Sequence, residues 1–290
     1  MSKVKTTFVS GLLMLCLIPG KAIADVKVSF KIQGDWAYVA AGDVNCGTQA
    51  YFDWRRSFWP ASEGGYRALH HGFELGGDVI FELSRTIGIG IGSGYLEASR
   101  VSRMDVWFPD RFEDGVLIAE PKLSIAPIRF GLFLNFPLKE KINFTTNFGI
   151  FYCLKARFSA DWKYWHSVMD AIFDDTVLVT FAEKRGIPLG LNGGMGIEYK
   201  LVSKVFVCLS VQGRYARFRG MEGSSEFSSL INDPFYEQGK LYYESVPTLP
   251  DAPRLIMVQS DPPEGPDGEP RLAVVDFSGV SLQAGIRIRL

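Results

Sequence analysis

The stretch that decides the fold is FELSRTIGIGIGSGYLEAS, which runs from Phe81 to Ser99. After a short polar turn, isoleucine occupies positions 87, 89 and 91, and glycine occupies positions 88, 90, 92 and 94. Successive side chains of a β-strand point to opposite faces, which matches this two-residue repeat. The pattern therefore predicts a strand with one apolar face and one bare face, and raises the question of what lies on each side.

The N-terminal segment predicts that the chain is exported. Two lysines precede an apolar run from Phe8 to Ile18, and the small residues Ala22 and Ala24 end the segment. This order is typical of a secretory signal peptide, and the run is shorter than the roughly 20 residues of a membrane-spanning helix. We therefore predict a signal peptide over residues 1–24 and one domain over residues 25–290.

Composition excludes several kinds of partner. The 31 basic and 32 acidic residues give a net charge of −1, so a basic surface for nucleic acid is not expected. The exported part is rich in glycine and aromatic residues and contains no long apolar segment. No metal-ligand spacing or cofactor motif occurs, and we predict no cofactor. These features favour β-structure.

Short polar turns alternate with long connections along the chain, as they do in transmembrane β-barrels, which have tight periplasmic turns and longer extracellular loops. Three turns and four loops connect eight strands. We place the strands near residues 26–41, 70–84, 87–102, 122–137, 142–160, 187–200, 205–219 and 272–290. The predicted fold is all-β: an antiparallel up-and-down transmembrane β-barrel of residues 25–290 with four long extracellular loops.

A ten-stranded barrel is the alternative topology. The runs KLYYESV and RLIMVQ lie in the fourth long connection and are expected to pair as a hairpin above the membrane. If this hairpin reached the bilayer, the ring would contain ten strands. A soluble β-sandwich would also show alternating faces, but its apolar face would form a closed core.

The two faces of the strands predict lipid outside and charge inside. An eight-stranded barrel is just wide enough for its own side chains, so the bare glycine face would leave room for long side chains from other strands. Buried charges must be paired, since an isolated buried charge is costly. We predict a salt-bridged lumen formed by Lys27, Lys31, Glu74, Asp78, Glu82, Arg129, Glu198, Arg214, Arg287 and Arg289.

The sequence resembles the small bacterial outer-membrane barrels of the OmpA/OmpX-like, porin-family class. The resemblance covers the signal peptide, the eight-strand meander and the final stretch QAGIRIRL. Such proteins commonly end in a motif that the barrel assembly machinery reads, and its positions here are Gln283, Gly285, Ile288 and Leu290. The resemblance implies the outer membrane of a Gram-negative-type bacterium, with outer-membrane lipid and the assembly machinery as partners.

The few reactive side chains do not assemble into an enzyme site. His70, His71 and His166 have no evident nucleophile and acid at the spacing of a catalytic triad. Cys153 and Cys208 are predicted inward on strands too far apart for a disulfide. We therefore predict that the chain is not an enzyme, with a lipid-modifying enzyme as one alternative.

The long connections are where function is expected. The first contains Tyr51, Trp54 and Arg55, and the third contains Trp162 and Tyr164. Aromatic residues beside arginine are enriched in binding hot spots, so these loops predict an extracellular ligand. The alternative is that the aromatic side chains pack on one another or lie at the lipid headgroups. The predicted function is a non-enzymatic outer-membrane barrel with a structural or surface-binding role, and a small porin is the other alternative.

Overall fold

The computed structural model describes residues 26–58, 62–108, 113–168, 171–184, 188–228, 233–245, 254–262 and 271–290, so the predicted signal peptide lies outside the described residues. The elements, in chain order, are β1 (Lys27–Gly42), α1 (Asp43–Phe58), β2 (Ser62–Gly65), β3 (His71–Glu82), β4 (Ile87–Ser99), β5 (Ser102–Phe108), β6 (Glu113–Lys139), β7 (Ile142–Val168), β8 (Ala171–Glu183), β9 (Leu189–Val202), β10 (Val205–Tyr215), β11 (Arg217–Arg219), β12 (Glu222–Ser228), β13 (Phe235–Ser245), β14 (Arg254–Gln259) and β15 (Val274–Arg289).

Eight of these strands close into a ring, which confirms the predicted antiparallel barrel. The order around the ring is β1, β3, β4, β6, β7, β9, β10 and β15, and β15 pairs again with β1. The short turns join β3 to β4, β6 to β7 and β9 to β10, as the sequence predicts. The predicted hairpin is present as β13 and β14, but it stays outside the ring, so the barrel has eight strands rather than ten.

The long connections are largely folded rather than irregular. Strands β6 and β7 are 27 residues each, far longer than the roughly 9–11 residues that cross a bilayer. Above the ring, β5 and β2 extend the sheet from β6, and β8, β12, β13 and β14 extend it from β7. The helix α1 comes directly after β1 and packs against β14, β15 and β1.

The outer face of the ring is apolar. The side chains of Ile32, Leu75, Leu209 and Met195 are each more than half exposed, so the described part of the chain leaves them largely uncovered. Exposed aromatic residues flank this apolar belt at Trp36, Tyr38, Tyr95, Tyr199 and Tyr215. A closed ring with an apolar belt and aromatic girdles is the form in which strands cross a lipid bilayer.

Among the described residues, no helix has the length and apolar character needed to cross a membrane.

The interior changes character along the barrel. At the level of the apolar belt it holds charged and amide side chains, whereas above the belt it holds a hydrophobic core. Core residues above the belt include Leu117, Leu123, Phe158, Phe218 and Phe277, all nearly inaccessible. We call the two parts the membrane half and the extracellular half.

Candidate functional site

The alternating stretch of β4 makes room for the lumen charges. Ile87 and Ile91 point outward and are 44% and 41% exposed, so the isoleucine face meets lipid. The glycine face points inward, where a Cβ on Gly92 would overlap the carboxylate of Asp78, which pairs with it across the β3–β4 ladder. Only glycine at this position leaves space for a charged side chain inside so narrow a barrel.

The upper charge cluster of the lumen is centred on Glu74. Its two carboxylate oxygens accept hydrogen bonds from Arg129 Nη1 at 2.7 Å and from Arg214 Nη1 at 2.8 Å. Asp78 Oδ1 lies 3.5 Å from Arg129 Nη2, and each of these four side chains is less than 10% exposed. Two acidic and two basic groups from β3, β6 and β10 thus form a neutral, nearly closed cluster.

The lower charge cluster is centred on Arg287. It donates to Glu82 at 2.7 Å and to Glu198 in a very short hydrogen bond, and Arg289 Nη2 lies 3.0 Å from Glu82. Ser29 Oγ also donates to Glu82 at 2.6 Å. Two acids and two bases again balance, so eight of the ten residues predicted to line the lumen lie in two ion-paired clusters.

The two predicted lysines lie outside these clusters. Lys27 is exposed at the periplasmic rim, and Lys31 is buried beside the lower cluster. Neither lysine forms an ion pair with another described residue. Sequence reasoning also left Asp35 out of the network. The Asp35 carboxylate accepts a hydrogen bond from Gln283 at 2.7 Å, deep in the lumen. The alternation of β1 places Asp35 on the same inward face as Lys31, so the signal for it was present in the sequence.

Little open space remains between the clusters. A cavity of about 50 Å³ adjoins the lower cluster, between Lys31, Glu82 and Arg287. A second, of about 10 Å³, lies beside Asp78 and Arg129. A single water needs roughly 10–15 Å³ on this measure, so the first cavity has room for a few water molecules and the second for at most one. The membrane half is therefore a filled polar core.

A much larger space lies in the extracellular half. This extracellular cavity has a volume of about 360 Å³ and is bounded by α1 on one side and by strands of the extended sheet on the other. Its lining residues are Tyr51, Trp54, Arg55, Leu117, Trp162, Lys163, Tyr164, Thr180, Ser225, Phe227, Phe235, Glu237, Leu255, Met257 and Val258. The aromatic residues predicted in the first and third connections thus meet at one site, together with residues from the fourth.

Arg55 fastens the C-terminal end of α1 to the cavity wall. Its Nε and Nη2 atoms donate to Tyr51 Oη at 3.1 and 2.9 Å. Its guanidinium carbon lies 4.7 Å from the ring centre of Trp54 and 5.1 Å from that of Tyr164 on β7. Cation–π contacts of this kind contribute about 0.5–2 kcal/mol each, so the helix and the barrel wall form one unit here.

Two polar residues fix the N-terminal end of α1. Asp43 accepts hydrogen bonds from the backbone N–H of Val274 at 2.7 Å and from Arg271 at 2.9 Å. Asn45 accepts a short hydrogen bond from Tyr66 Oη and one from the Leu69 N–H at 2.8 Å. Burial raises the pKa of Tyr66 to about 12, so this hydroxyl stays protonated and donates at neutral pH.

The histidines are spread over separate surroundings. His70 stacks on Tyr38 with ring centres 4.8 Å apart, and its Nδ1 lies 3.1 Å from the Val39 carbonyl oxygen. His71 stacks on Trp36 at 5.1 Å. His166 is on β7, and its side chain is not among those described. These contacts place both described imidazoles in aromatic packing at the outer rim of the barrel.

The cysteines and the C-terminal residues lie where the alternation predicts. Cys153 and Cys208 are buried, and both are free thiols. Across the described residues, no group of histidine, cysteine and carboxylate side chains could hold a metal ion. Gln283 points into the lumen, whereas Ile288 and Leu290 are 44% and 65% exposed on the lipid face. Reading of these residues by the assembly machinery stays a prediction.

Comparison with known proteins shows that the fold of the chain is similar to those of solved outer-membrane proteins, at low sequence identity. No protein-family model matches the sequence, and no curated protein matches it. The chain is similar to the outer membrane protein OprG of Pseudomonas aeruginosa at 12% identity, covering 90% of this chain and 95% of that one, with a TM-score of 0.36. It is similar to a major outer membrane protein of Thermus thermophilus at 11% identity, covering 91% and 99%, with a TM-score of 0.42.

A third similar structure is that of Ail, the attachment invasion locus protein of Yersinia pestis, at 11% identity, covering 91% of this chain and 99% of that one, with a TM-score of 0.31. At such identities and TM-scores, the similarity carries no argument about what the chain binds. The assignment as a membrane-spanning β-barrel rests instead on the closed ring of strands and its apolar belt. The chain is a β-barrel of the outer membrane, as predicted.

Proposed function

We propose that the chain is a non-enzymatic outer-membrane barrel of the small OmpA/OmpX-like class, and that it binds a ligand at the cell surface rather than conducting solutes. The observation that carries this proposal is the division of its interior. Paired charges fill the membrane half, whereas the extracellular half holds a cavity of about 360 Å³. Space for a ligand is thus found outside the membrane, where a surface-binding protein requires it.

The ion pairs of the lumen support a non-conducting barrel. Glu74 holds two arginines that come from strands on different sides of the ring, so the upper cluster crosses the interior. Removing one partner of a buried pair costs about 3–5 kcal/mol, because the other charge is left uncompensated. An opening that leaves these charges unpaired would carry a similar penalty, so we expect open states of the cluster to be rare.

The proposal of a non-enzymatic role is supported by the surroundings of the reactive side chains. The His70 ring faces a backbone carbonyl and an aromatic ring instead of a serine, cysteine or carboxylate. The two described cysteines of the ring are buried among other side chains. Catalysis by any of these groups would need a base and a nucleophile within hydrogen-bonding reach.

Conductance in planar lipid bilayers tests the proposal. Wild-type protein is expected to show no stable open level, whereas the double variant Arg129→Ala/Arg214→Ala, which lacks the side chains that cross the lumen, is expected to show increased conductance. Arg103→Ala removes an exposed ion pair with Asp105 and serves as the matched control. A stable wild-type conductance that depends on salt concentration would instead identify a small porin.

A further inference from the structure

We propose that the extracellular cavity binds a small, uncharged and mainly apolar molecule that carries one hydrogen-bonding group. This inference rests on the proposed surface-binding role and specifies the chemistry of the ligand. Four features of the cavity carry it: its size, its walls, the engagement of every charge that lines it, and a pair of hydroxyl groups.

The size of the cavity restricts the ligand to a small molecule. Its volume of about 360 Å³ lies at the lower end of the range of roughly 300–1,000 Å³ found for small-molecule sites. A folded protein segment or a polysaccharide would not fit within it. Phe235 lines the cavity and is 56% exposed, so the cavity reaches the extracellular solvent at this side chain.

The walls of the cavity favour an apolar ligand. Aromatic side chains come from α1 and β7, and Leu255, Met257 and Val258 come from β14. Tyr51 and Trp162 stack with ring centres 4.8 Å apart, which gives a flat and rigid surface. Transfer of apolar area from water to such a surface contributes about 25 cal/mol per Å².

The charged groups of the lining already have protein partners. Lys163 Nζ lies 3.1 Å from Asp161, and Glu237 accepts a hydrogen bond from the Ser260 N–H at 2.8 Å. Arg55 is engaged by Tyr51 and by the surrounding rings. A charged ligand would therefore have to displace these existing protein contacts before it could pair with Arg55, Lys163 or Glu237, and it would lose its hydration against the apolar part of the walls. This argument favours a neutral molecule.

Two hydroxyl groups provide the polar contact. Thr180 on β8 and Ser225 on β12 are directly opposite each other in the strand ladder, and both line the cavity. Both residues are buried, at 4% and 7% exposure. A hydroxyl can donate and accept, so this pair suits a single alcohol, carbonyl or ether group on the ligand.

Three matched probes test the chemical class. We would measure binding of 2-naphthalenemethanol, 2-naphthoate and 2-naphthylmethylammonium to the full chain in lipid nanodiscs by saturation-transfer difference NMR, with empty nanodiscs as background. The three probes share one ring system and differ in charge. We expect the neutral alcohol to bind, and both ions to bind roughly tenfold more weakly or worse, because of their uncompensated desolvation.

Variants locate the site. Met257→Trp fills the cavity from β14 and is expected to abolish binding of the alcohol. Tyr236→Trp adds the same side chain on β13 at a 58% exposed position outside the cavity, and is expected to change nothing. Thr180→Val removes one hydroxyl at constant shape and is expected to weaken binding of the alcohol by about two- to tenfold, without affecting 2-methylnaphthalene.

Tighter binding of either ion would overturn the chemical class while leaving a surface-binding role intact. Binding of the alcohol that survives Met257→Trp would overturn the location, and absence of binding by the wild type would overturn the inference. If Met257→Trp does not fold, as judged by its heat-dependent mobility in gels, Thr180→Val still decides the location. A porin-like conductance of the wild type would count against the proposed function itself, independently of these results.

Discussion

In the membrane half of β6, Arg129 points into the lumen and Phe130 faces lipid. In the extracellular half of the same strand, Leu123 points into the core and Glu120 faces water. The alternation of side chains continues without interruption in β6, but the chemistry of the two faces is exchanged. The comparison teaches that the surrounding solvent, lipid or water, decides which face of a strand is polar, whereas the backbone geometry is the same in both halves.

The neighbouring strand β7 makes the same exchange with a local irregularity. The β6–β7 register shifts between Ala126 and Pro127, which leaves Leu154 without a direct partner in the β6–β7 ladder. Below this bulge Phe148 and Ile150 face lipid, and above it Phe158 packs into the extracellular core. A bulge adds one residue to one strand and can re-aim the side chains that follow it.

The two halves are therefore stabilised by different interactions, and mutations can separate them. The largest effect is expected in the membrane half from Glu74→Leu, which leaves Arg129 and Arg214 without their shared carboxylate. We expect a loss of about 5 kcal/mol, the upper end for a broken buried pair, because two charges lose one partner. The free energy of unfolding in urea, measured in lipid vesicles by tryptophan fluorescence, checks this.

In the extracellular half, a cavity rather than a charge is expected to be costly. Phe158→Ala removes a fully buried ring and is expected to cost about 3 kcal/mol. Phe148→Ala on the lipid face of the same strand is the matched control, since its ring is 56% exposed. The same urea titration measures both variants, and equal losses would contradict the assignment of the two faces of β7.

The lipid face itself can be tested on the stretch that decides the fold. Ile91→Lys places a charge near the middle of the apolar belt and is expected to cost about 2–3 kcal/mol, whereas Ile87→Lys, close to the periplasmic turn, should cost about 1 kcal/mol or less. Both isoleucines have similar exposure, so depth in the bilayer is the difference between them. Equal costs would mean that lipid does not contact this face.

The smallest effect is expected at an exposed ion pair of the extracellular half. Lys122 Nζ lies 2.6 Å from Glu97, and its hydrogen bond lowers the pKa of that carboxyl. The pKa of Glu97 is lower in the folded protein than in the unfolded chain, where it is about 4.3, so the ion pair stabilises the fold at pH values above the unfolded pKa. This stabilisation is lost as the pH falls through the pKa of the folded protein.

Because both side chains are more than a third exposed, we expect a contribution below about 1 kcal/mol. Unfolding of the wild type and of Glu97→Gln at pH 7 and at pH 3 measures it. The difference between the two proteins should be largest at pH 7 and should shrink at pH 3, as Glu97 becomes protonated. A difference of equal size at both pH values would show that packing, rather than charge, is responsible.

The sequence was sufficient to predict the ring because lipid imposes a simple rule. All eight strands followed from the alternating faces together with the short polar turns, and the inward direction of Glu74, Asp78 and Arg129 followed from the alternating faces. The prediction of a lumen ion-pair network was less accurate for the two lysines, since alternation predicts which face a side chain is on but not which charged group it contacts. Lys27 shares the inward face but lies at the rim.

The extracellular half could not be predicted to the same extent. Its strands alternate with the polar face outward, as in a soluble protein, so the lipid pattern ends at the girdle. The strand β6 was therefore expected to begin only near residue 122 and β7 to end near residue 160, whereas they extend to Glu113 and Val168. The helix α1 contains Gly47 and several aromatic residues, which are weak helix formers. The helix is favoured instead by packing against β14, where Gly47 closely approaches Ile256, and this contact is distant in sequence. Thr180 and Ser225 gave no sequence signal at all.

The exchange of faces also fixes an order of events in biogenesis. The apolar core of the extracellular half combines the upper parts of ring strands such as β6 and β7 with β5, β8, β11, β13, β14 and α1, and all of these parts lie beyond the outer leaflet in the finished protein. Such a core packs only after these segments have crossed the bilayer, because their partners are then on the same side. Folding of the surface therefore follows translocation of these segments, and a chain that stalls before this step would leave its apolar side chains without their partners.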